Sequence, residues 1–258
     1  MSSPARPLLS LHAVTRRFGE RIALAGVDLG VAEGEFVSLL GASGCGKSTV
    51  LRLLSGLDAP STGTIARDLP PGAIPGYVFQ DAALMPWASV RRNVELPLML
   101  RGARAATMRE RVDAALHAVG LADSAEAVPR ELSGGMKMRA SLARALVTSP
   151  RLWLLDEPFG ALDEITRFAL NQTLLALCKP QDGSLPATAV FVTHSVYEAV
   201  FLSERVVVMA RPGRVVDEIA IDAPYPRDAS FRATPLFATL CARVSDALQR
   251  ASVAGAPA

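Results

Sequence analysis

The stretch EFVSLLGASGCGKSTVLRLLSGL, Glu35 to Leu57, joins two apolar runs of different period through a glycine-rich turn. The first, Phe36 to Leu40, is short and continuous, as in a strand buried on both faces. In the second the apolar residues recur at helical spacing. Strand, loop and helix in that order predict an α/β fold. Between them Gly41, Gly46, Lys47 and Ser48 fill the pattern G-x-x-x-x-G-K-[ST]. Glycines let the backbone curl so that successive N–H groups face phosphate oxygens, a lysine neutralises the β and γ oxygens, and the serine hydroxyl can ligate Mg²⁺. Four such positions coincide by chance in roughly one chain of this length in a hundred. Their placement after an apolar strand and before a helix turns that coincidence into a nucleotide site. Cys45 occupies a free position of the pattern and reads as a small filler.

Several classes are excluded by composition. With 258 residues, half of them apolar, the chain can bury a large core. Its 27 basic and 25 acidic side chains give a net charge of +2, too little for a field that would gather nucleic acid or an acidic membrane surface. Three scattered cysteines, Cys45, Cys178 and Cys241, form neither a disulfide framework nor a metal site and fit a reducing compartment. The start, MSSPARPLLSLHAVTRRFG, has an apolar stretch too short for a signal peptide. The most apolar later stretch, ATAVFVTHSVYEAVFL, is cut by His194 and Glu198, so no membrane crossing is expected. A soluble, cytoplasmic chain is the expectation.

Along the chain, LLSLHAV and IALAGVDLGV alternate in period two with Gly19 and Gly34 as punctuation, which predicts antiparallel strands. From about Ala88 to Val147 the pattern turns helical, with Met108, Val112, Leu116 and Val119 recurring up to a cap at Gly120. RLWLLD, ATAVFVTH and RVVVMA read as parallel strands, and ARPGRVVDEIAI as a hairpin around Pro212 and Gly213. The tail is expected to hold a helix with Leu236, Leu240, Val244 and Leu248 on one face, followed by a frayed small-residue end.

LWLLDEPFGALD carries an apolar strand into Asp156 and Glu157. A carboxylate at the strand's carboxyl end can hold Mg²⁺ through water, and the next one can polarise an attacking water. Gln80 in YVFQD and His194 in FVTHS also follow apolar strands. The amide can bond Mg²⁺ or water and the imidazole a γ-phosphate, yet for each alone the reading as a satisfied polar group at a strand end prevails. Phe18, in RRFGE, reads either as a ring that stacks on adenine or as packing. His12 and His117 lack such a setting.

LSGGMKMR, Leu132 to Arg139, opens a helix whose apolar face includes Met138, Leu142 and Leu146. Its N-terminus offers unpaired N–H groups to an anion but has no lysine like Lys47 to form a nucleotide site unaided. Here the sequence resembles the ATP-binding cassette family, and the resemblance spans nearly the whole chain. Phosphate loop, Gln80, LSGG, LLDEP, the GALD segment ending at Asp163, and His194 stand in the family's order and spacing. It implies a P-loop core with an antiparallel β lobe and an inserted helical lobe. Within a single domain of residues 1–258 the core lobe would cover about 1–87 and 148–225, the helical lobe about 88–147, and a helical tail about 226–258. The ATP-binding residues would be Phe18 with Gly41, Ala42, Ser43, Gly44 and Cys45, then Gly46, Lys47, Ser48 and Thr49. Glu157, His194 and Gln80 would be catalytic, and Ser48, Gln80 and Asp156 would hold Mg²⁺. Leu132, Ser133, Gly134, Gly135 and Met136 would form the signature that closes over ATP bound to a second copy, with Asp163 in the intervening loop.

Met136, where many members have Gln, and LMPWASV after Gln80 resemble importer ATPases for nitrate, sulfonate, taurine or pyrimidine-type thiamine precursors. The expected partners are a transmembrane permease, a periplasmic binding protein through it, and a second copy of the chain, at the cytoplasmic face of a bacterial inner membrane. Trp87 reads as core or as a contact to that permease. GTIARDLPPGAIPGYVFQ is shorter and richer in proline than the family's segment, which leaves its edge strands open. Efflux or lipoprotein-extracting cassettes share the catalytic parts. Nucleic-acid-associated cassettes are disfavoured by near-neutral charge and the lack of zinc ligands or a heptad insertion.

Overall fold

The computed structural model describes residues 7–70, 72–181 and 183–254, in two compact units, Met1–Ala73 with Cys178–Ala258, and Ile74–Leu177. Among the described residues no helix is long and apolar enough to cross a membrane. The first six residues of the chain, and the end expected to fray, lie outside the described residues.

In the first unit, β1 (Pro7–Phe18) and β2 (Arg21–Ala32) pair antiparallel, with Leu11 opposite Leu29. Along β2, buried Val27, Leu29 and Val31 alternate with Asp28 and Gly30, the period-two pattern of a sheet with one covered face. β4 (Thr62–Arg67) lies on the other side of β1, giving the order β2-β1-β4. The proline-rich segment therefore does supply an edge strand. A second sheet runs β7-β3-β8-β9, built from β3 (Phe36–Gly41), β7 (Thr188–Thr193), β8 (Arg205–Ala210) and β9 (Arg214–Ala220). β3 is parallel to both neighbours and buried at every position, which is why its sequence is continuous rather than alternating. β8 turns back into β9 as the expected hairpin.

Among the described residues, the α-helices α1 (Lys47–Ser55), α6 (Val196–Leu202) and α7 (Pro235–Ala254) complete this unit. The C-terminus of α6 is closed by the buried guanidinium of Arg227, which donates to the carbonyls of Val200, Phe201 and Ser203 at 2.9, 3.1 and 2.8 Å. Those are orphan groups of a helix end, and the arginine satisfies them where water cannot reach. α7 corrects the expected face. Phe237, Leu240, Cys241, Val244, Ala247 and Ala251 are buried, whereas Leu236 is 45% exposed. Residues four apart advance by 400°, so a strict i, i+4 stripe drifts about 40° per step around the axis. Leu236 is carried off the buried face and Phe237 takes its place.

In the second unit, β5 (Gly76–Val78) and β6 (Leu152–Asp156) are parallel neighbours. β5 has only three residues, starting directly after Pro75. Helices α2 (Val90–Leu100), α3 (Ala105–Ala118) and α4 (Gly134–Leu146) pack on one another, and α5 (Glu164–Cys178) belongs to the unit up to Leu177. α3 ends as expected. Gly120 adopts φ 68°, with its N–H on the His117 carbonyl at 3.0 Å and the Leu121 N–H on that of Leu116 at 2.9 Å, a paired closure of the last turn. Trp87 is 80% exposed, so the core reading for it does not hold.

Phe237→Ala should lower the unfolding free energy by about 3–5 kcal/mol. Leu236→Ala should change it by about 0.5 kcal/mol or less. Denaturant melts of the two variants check which residue α7 buries.

Candidate nucleotide site

The phosphate loop is held in the first unit by close backbone approaches. β3 ends at Gly41, α1 starts at Lys47, and Gly46 between them adopts φ 102°. A Cβ at Gly46 would lie 2.6 Å from the Ala23 carbonyl oxygen, so that position needs glycine for both conformation and space. Lys47 is 4% exposed, and its ammonium donates to the Gly41 carbonyl at 2.7 Å and the Ala42 carbonyl at 3.3 Å. Ala42, Ser43, Gly44 and Ser48 are exposed along the loop, and Thr49 is half-buried. Cys45 is fully buried, and a Cβ at Gly41 would meet its sulfur at 2.8 Å. It is a small filler, as its free position in the sequence pattern implies. Burial raises its thiol pKa against the pull of Lys47, so the thiolate that would attack an alkylating reagent is suppressed.

Phe18 ends β1 with its ring 48% exposed and the Arg16 guanidinium 4.5 Å from its centroid, so the ring is available to stack and is not core. His194 is exposed in the turn between β7 and α6. That turn is tightly specified. The Ser195 N–H donates to the Thr193 hydroxyl at 2.9 Å, Ser195 caps α6 through the Glu198 N–H, and the Thr193 hydroxyl donates to the buried Glu198 carboxylate.

The second unit carries the acidic residues and the signature. Asp156 is the last residue of β6, and Glu157 follows with φ 45°, left-handed backbone that a non-glycine residue adopts at a cost. Asp163 caps α5, accepting from the Thr166 N–H at 3.0 Å, and this bond holds its carboxyl below the ordinary carboxylate range. Arg167 fastens the segment between them through the carbonyls of Phe159 and Leu162, at 3.3 and 2.8 Å. Ser133 caps α4, accepting from the Met136 N–H at 3.2 Å. Gly135 is buried where a Cβ would come within 2.5 Å of the Thr166 methyl, so the second signature glycine lets the starts of α4 and α5 meet. Leu132 is buried, and Gly134 is exposed beside it.

Gln80 is exposed just beyond β5. The turn after it is clamped by a residue that motif reading missed. Arg144, in the last turn of α4, donates to the carbonyls of Ala82 and Ala83, both at 2.7 Å, while Ala83 adopts φ 46°. Burial lowers the Arg144 pKa. Its only sequence signal is a charge closing the apolar stripe of a helix.

Among the described residues no group of three or more His, Cys, Asp or Glu is placed to hold a metal by itself. The donors named for Mg²⁺ are the Ser48 hydroxyl, the Asp156 carboxylate and the Gln80 amide, all hard oxygens. They fit an ion held mainly by substrate phosphates and a few protein ligands.

The family model described as ABC transporter matches residues 24–160, from β2 through the loop after Glu157. The chain belongs to the ABC transporter family. A putative ATP-binding protein of Brucella abortus is 45% identical over 244 residues, covering 93% of this chain and 92% of that one. An aliphatic sulfonates import ATP-binding protein of Pseudomonas fluorescens is 45% identical over 239 residues, 93% of this chain and 86% of that one. An ATP-binding cassette solved as a dimer in a post-hydrolysis state with ADP and Pi superposes with a TM-score of 0.72 at 35% identity, over 84% of this chain and 100% of that one. The chain is thus an ABC ATPase, converting ATP and water to ADP and phosphate.

In this ABC ATPase the phosphate loop, Phe18 and His194 belong to the first unit, whereas Gln80, Asp156, Glu157, Asp163 and the signature belong to the second. The strained backbone at Glu157 gives a measurable sign reversal. Glycine normally destabilises relative to alanine, but Glu157→Gly should be more stable than Glu157→Ala by about 1 kcal/mol, because only glycine adopts φ 45° freely. Thermal melts of the two variants check it.

Proposed function

We propose that the chain is the ATP-hydrolysing subunit of a bacterial importer that moves a small solute, of the sulfonate, taurine, nitrate or pyrimidine type, through a separate membrane permease. The reading rests on the signature at the start of α4. Ser133 and Gly134 are exposed at a helix N-terminus that can receive an anion, yet the segment has no phosphate-loop lysine like Lys47. Such a half-site is complete only when a second copy brings ATP on its phosphate loop. The dimeric ADP-bound cassette and the sulfonate importer relative support this.

In the proposed reaction Lys47 and the loop N–H groups from Gly41 to Thr49 hold the phosphates, and Phe18 stacks on adenine. Ser48, Gln80 and Asp156 would hold Mg²⁺, which neutralises the phosphate oxygens when bound. Glu157 polarises the attacking water, and His194 donates to a γ-phosphate oxygen. Leu132 to Met136 of one copy close on the other copy's ATP, with Asp163 in the loop that follows Glu157. Closure depends on contacts made only while the γ-phosphate is present, so it can drive a permease whose two states differ in the spacing of the ATPases.

The permease would dock on the helical unit at the cytoplasmic face of the inner membrane, with a periplasmic binding protein delivering the solute from the other side. A cavity of about 520 Å³ there is lined by Ile74, Tyr77, Phe79, Leu96, Leu100 and Arg144, with Leu100 80% exposed. The carbonyl clamp of Arg144 would tie that cavity to the turn after Gln80.

Glu157→Gln should bind ATP, hydrolyse it at least about a hundredfold more slowly, and accumulate as a closed dimer. Ser133→Arg should block that dimer. Phosphate release and light scattering at saturating ATP measure both, and a purely monomeric Glu157→Gln would remove the shared site. Leu100→Glu should abolish recovery of a multi-span permease with the tagged chain from gently solubilised membranes. Leu185→Glu, equally exposed in the other unit, should leave that recovery intact. Recovery with nucleic acid or ribosomes instead would overturn the transport assignment and leave the ATPase standing.

A further inference from the structure

The hairpin between β8 and β9 is built against the phosphate loop. Gly213, φ 67°, packs so closely on Ala23 and Leu24 that any Cβ would overlap them, and its carbonyl accepts the Ala25 N–H at 3.0 Å. The Gly213 Cα lies 3.5 Å from a Cβ built on Gly46, and a Cβ on Gly41 would collide with the Met209 carbonyl. The turn Arg211 to Gly213 is thus wedged between β2 and the loop.

Arg211 uses this position. Its guanidinium Nη2 donates to the Ser43 carbonyl at 2.6 Å, and a Cβ on Gly44 would lie 3.0 Å from the same nitrogen. The guanidinium therefore lies across the Ser43–Gly44 peptide, on the exposed side of the loop, while the Lys47 ammonium holds Gly41 and Ala42 from within. In a trans peptide the C=O and the following N–H point in opposite directions. Holding the Ser43 oxygen toward Arg211 turns the Gly44 N–H away from it, the direction a loop needs if its N–H groups are to converge on phosphate.

We propose that Arg211 is a positioning residue of the nucleotide site, fixing the Ser43–Gly44 peptide in its anion-binding orientation and adding a second fixed positive charge for the polyphosphate of ATP. This inference rests on the reading of the loop as the ATP site. It adds a residue from a segment 168 positions away that belongs to none of the motifs. The charge and the hydrogen bond make separable contributions. Arginine supplies both, lysine can supply both with a shorter reach, and glutamine supplies a donor without charge.

The experiment is calorimetric titration of the full chain with MgATP at several salt concentrations, for wild type, Arg211→Ala, Arg211→Lys and Arg211→Gln, with steady-state ATPase beside it. Arg211→Ala should weaken ATP binding about tenfold. Its dissociation constant should respond less to salt than that of wild type, because one fixed cation is gone. Arg211→Lys should recover most of the affinity and the full salt response, and Arg211→Gln part of the affinity without the salt response. KM for ATP should rise with kcat within about twofold, since the contact acts on bound phosphate alike before and during reaction. Loss of packing alone would lower stability without changing the salt dependence, so thermal melts accompany each variant. An Arg211→Gln variant that binds ATP as wild type does, with the same salt slope, overturns the inference even if Arg211→Ala proves unstable. A wild-type chain that fails to bind ATP would instead overturn the nucleotide reading of the loop itself.

Discussion

The constraint on which the site depends is the near-contact of backbone with backbone around the phosphate loop. Gly41 against the Met209 carbonyl, Gly46 against the Ala23 carbonyl and Gly213 against Ala23 each leave no room for a β-carbon. A loop that must offer its N–H groups to an anion cannot spend them on a regular ladder, so its shape has to come from packing against neighbours that are themselves rigid. β3 supplies one wall, being buried along its whole length, β8 and its hairpin supply another, and β2 supplies the third. Removing any wall would release the loop without touching a residue that meets nucleotide.

Legibility followed the range of the interaction. β3, the loop and α1 could be read because glycine spacing, lysine and flanking apolar runs all lie within Glu35–Leu57. The cap at Gly120 and the antiparallel β1–β2 pair were equally local. For α7 the pattern marks a helix but not the register at its start, since four apolar residues at strict i+4 spacing cannot share one face for three turns. Trp87 could not be placed from composition, because an exposed tryptophan and a core one look alike in sequence. Arg144 and Arg211 were missed for another reason. Each acts on carbonyls 61 or more positions away, and a carbonyl has no sequence signature.

The two arginines share a logic with Arg227. All three donate to main-chain carbonyls, and all three do so where a turn leaves a functional segment: after Gln80, across Ser43 and Gly44, and at the end of the helix that follows His194. A guanidinium has several donors in a fixed plane, so one side chain can hold consecutive peptides in a stated orientation. That is an economical way to stiffen a turn that glycine, or a residue with positive φ, would otherwise leave loose.

Helix starts do the corresponding work for other site residues. Ser133, Asp163 and Ser195 each cap the helix that begins at the signature, after the acidic strand end, and beside His194. A cap has extended backbone on one side and helix on the other, so the functional residues next to it leave a rigid element with a defined direction. Glu157 is the exception. It lies in no helix and no strand, and its φ of 45° must be held by what surrounds it. Strain kept at a single acidic residue, in a protein whose other proposed site residues are placed by caps, loops and packing without it, marks where orientation is worth more than stability. In an enzyme that must position one water for attack, the side chain proposed to aim that water is the place to expect it.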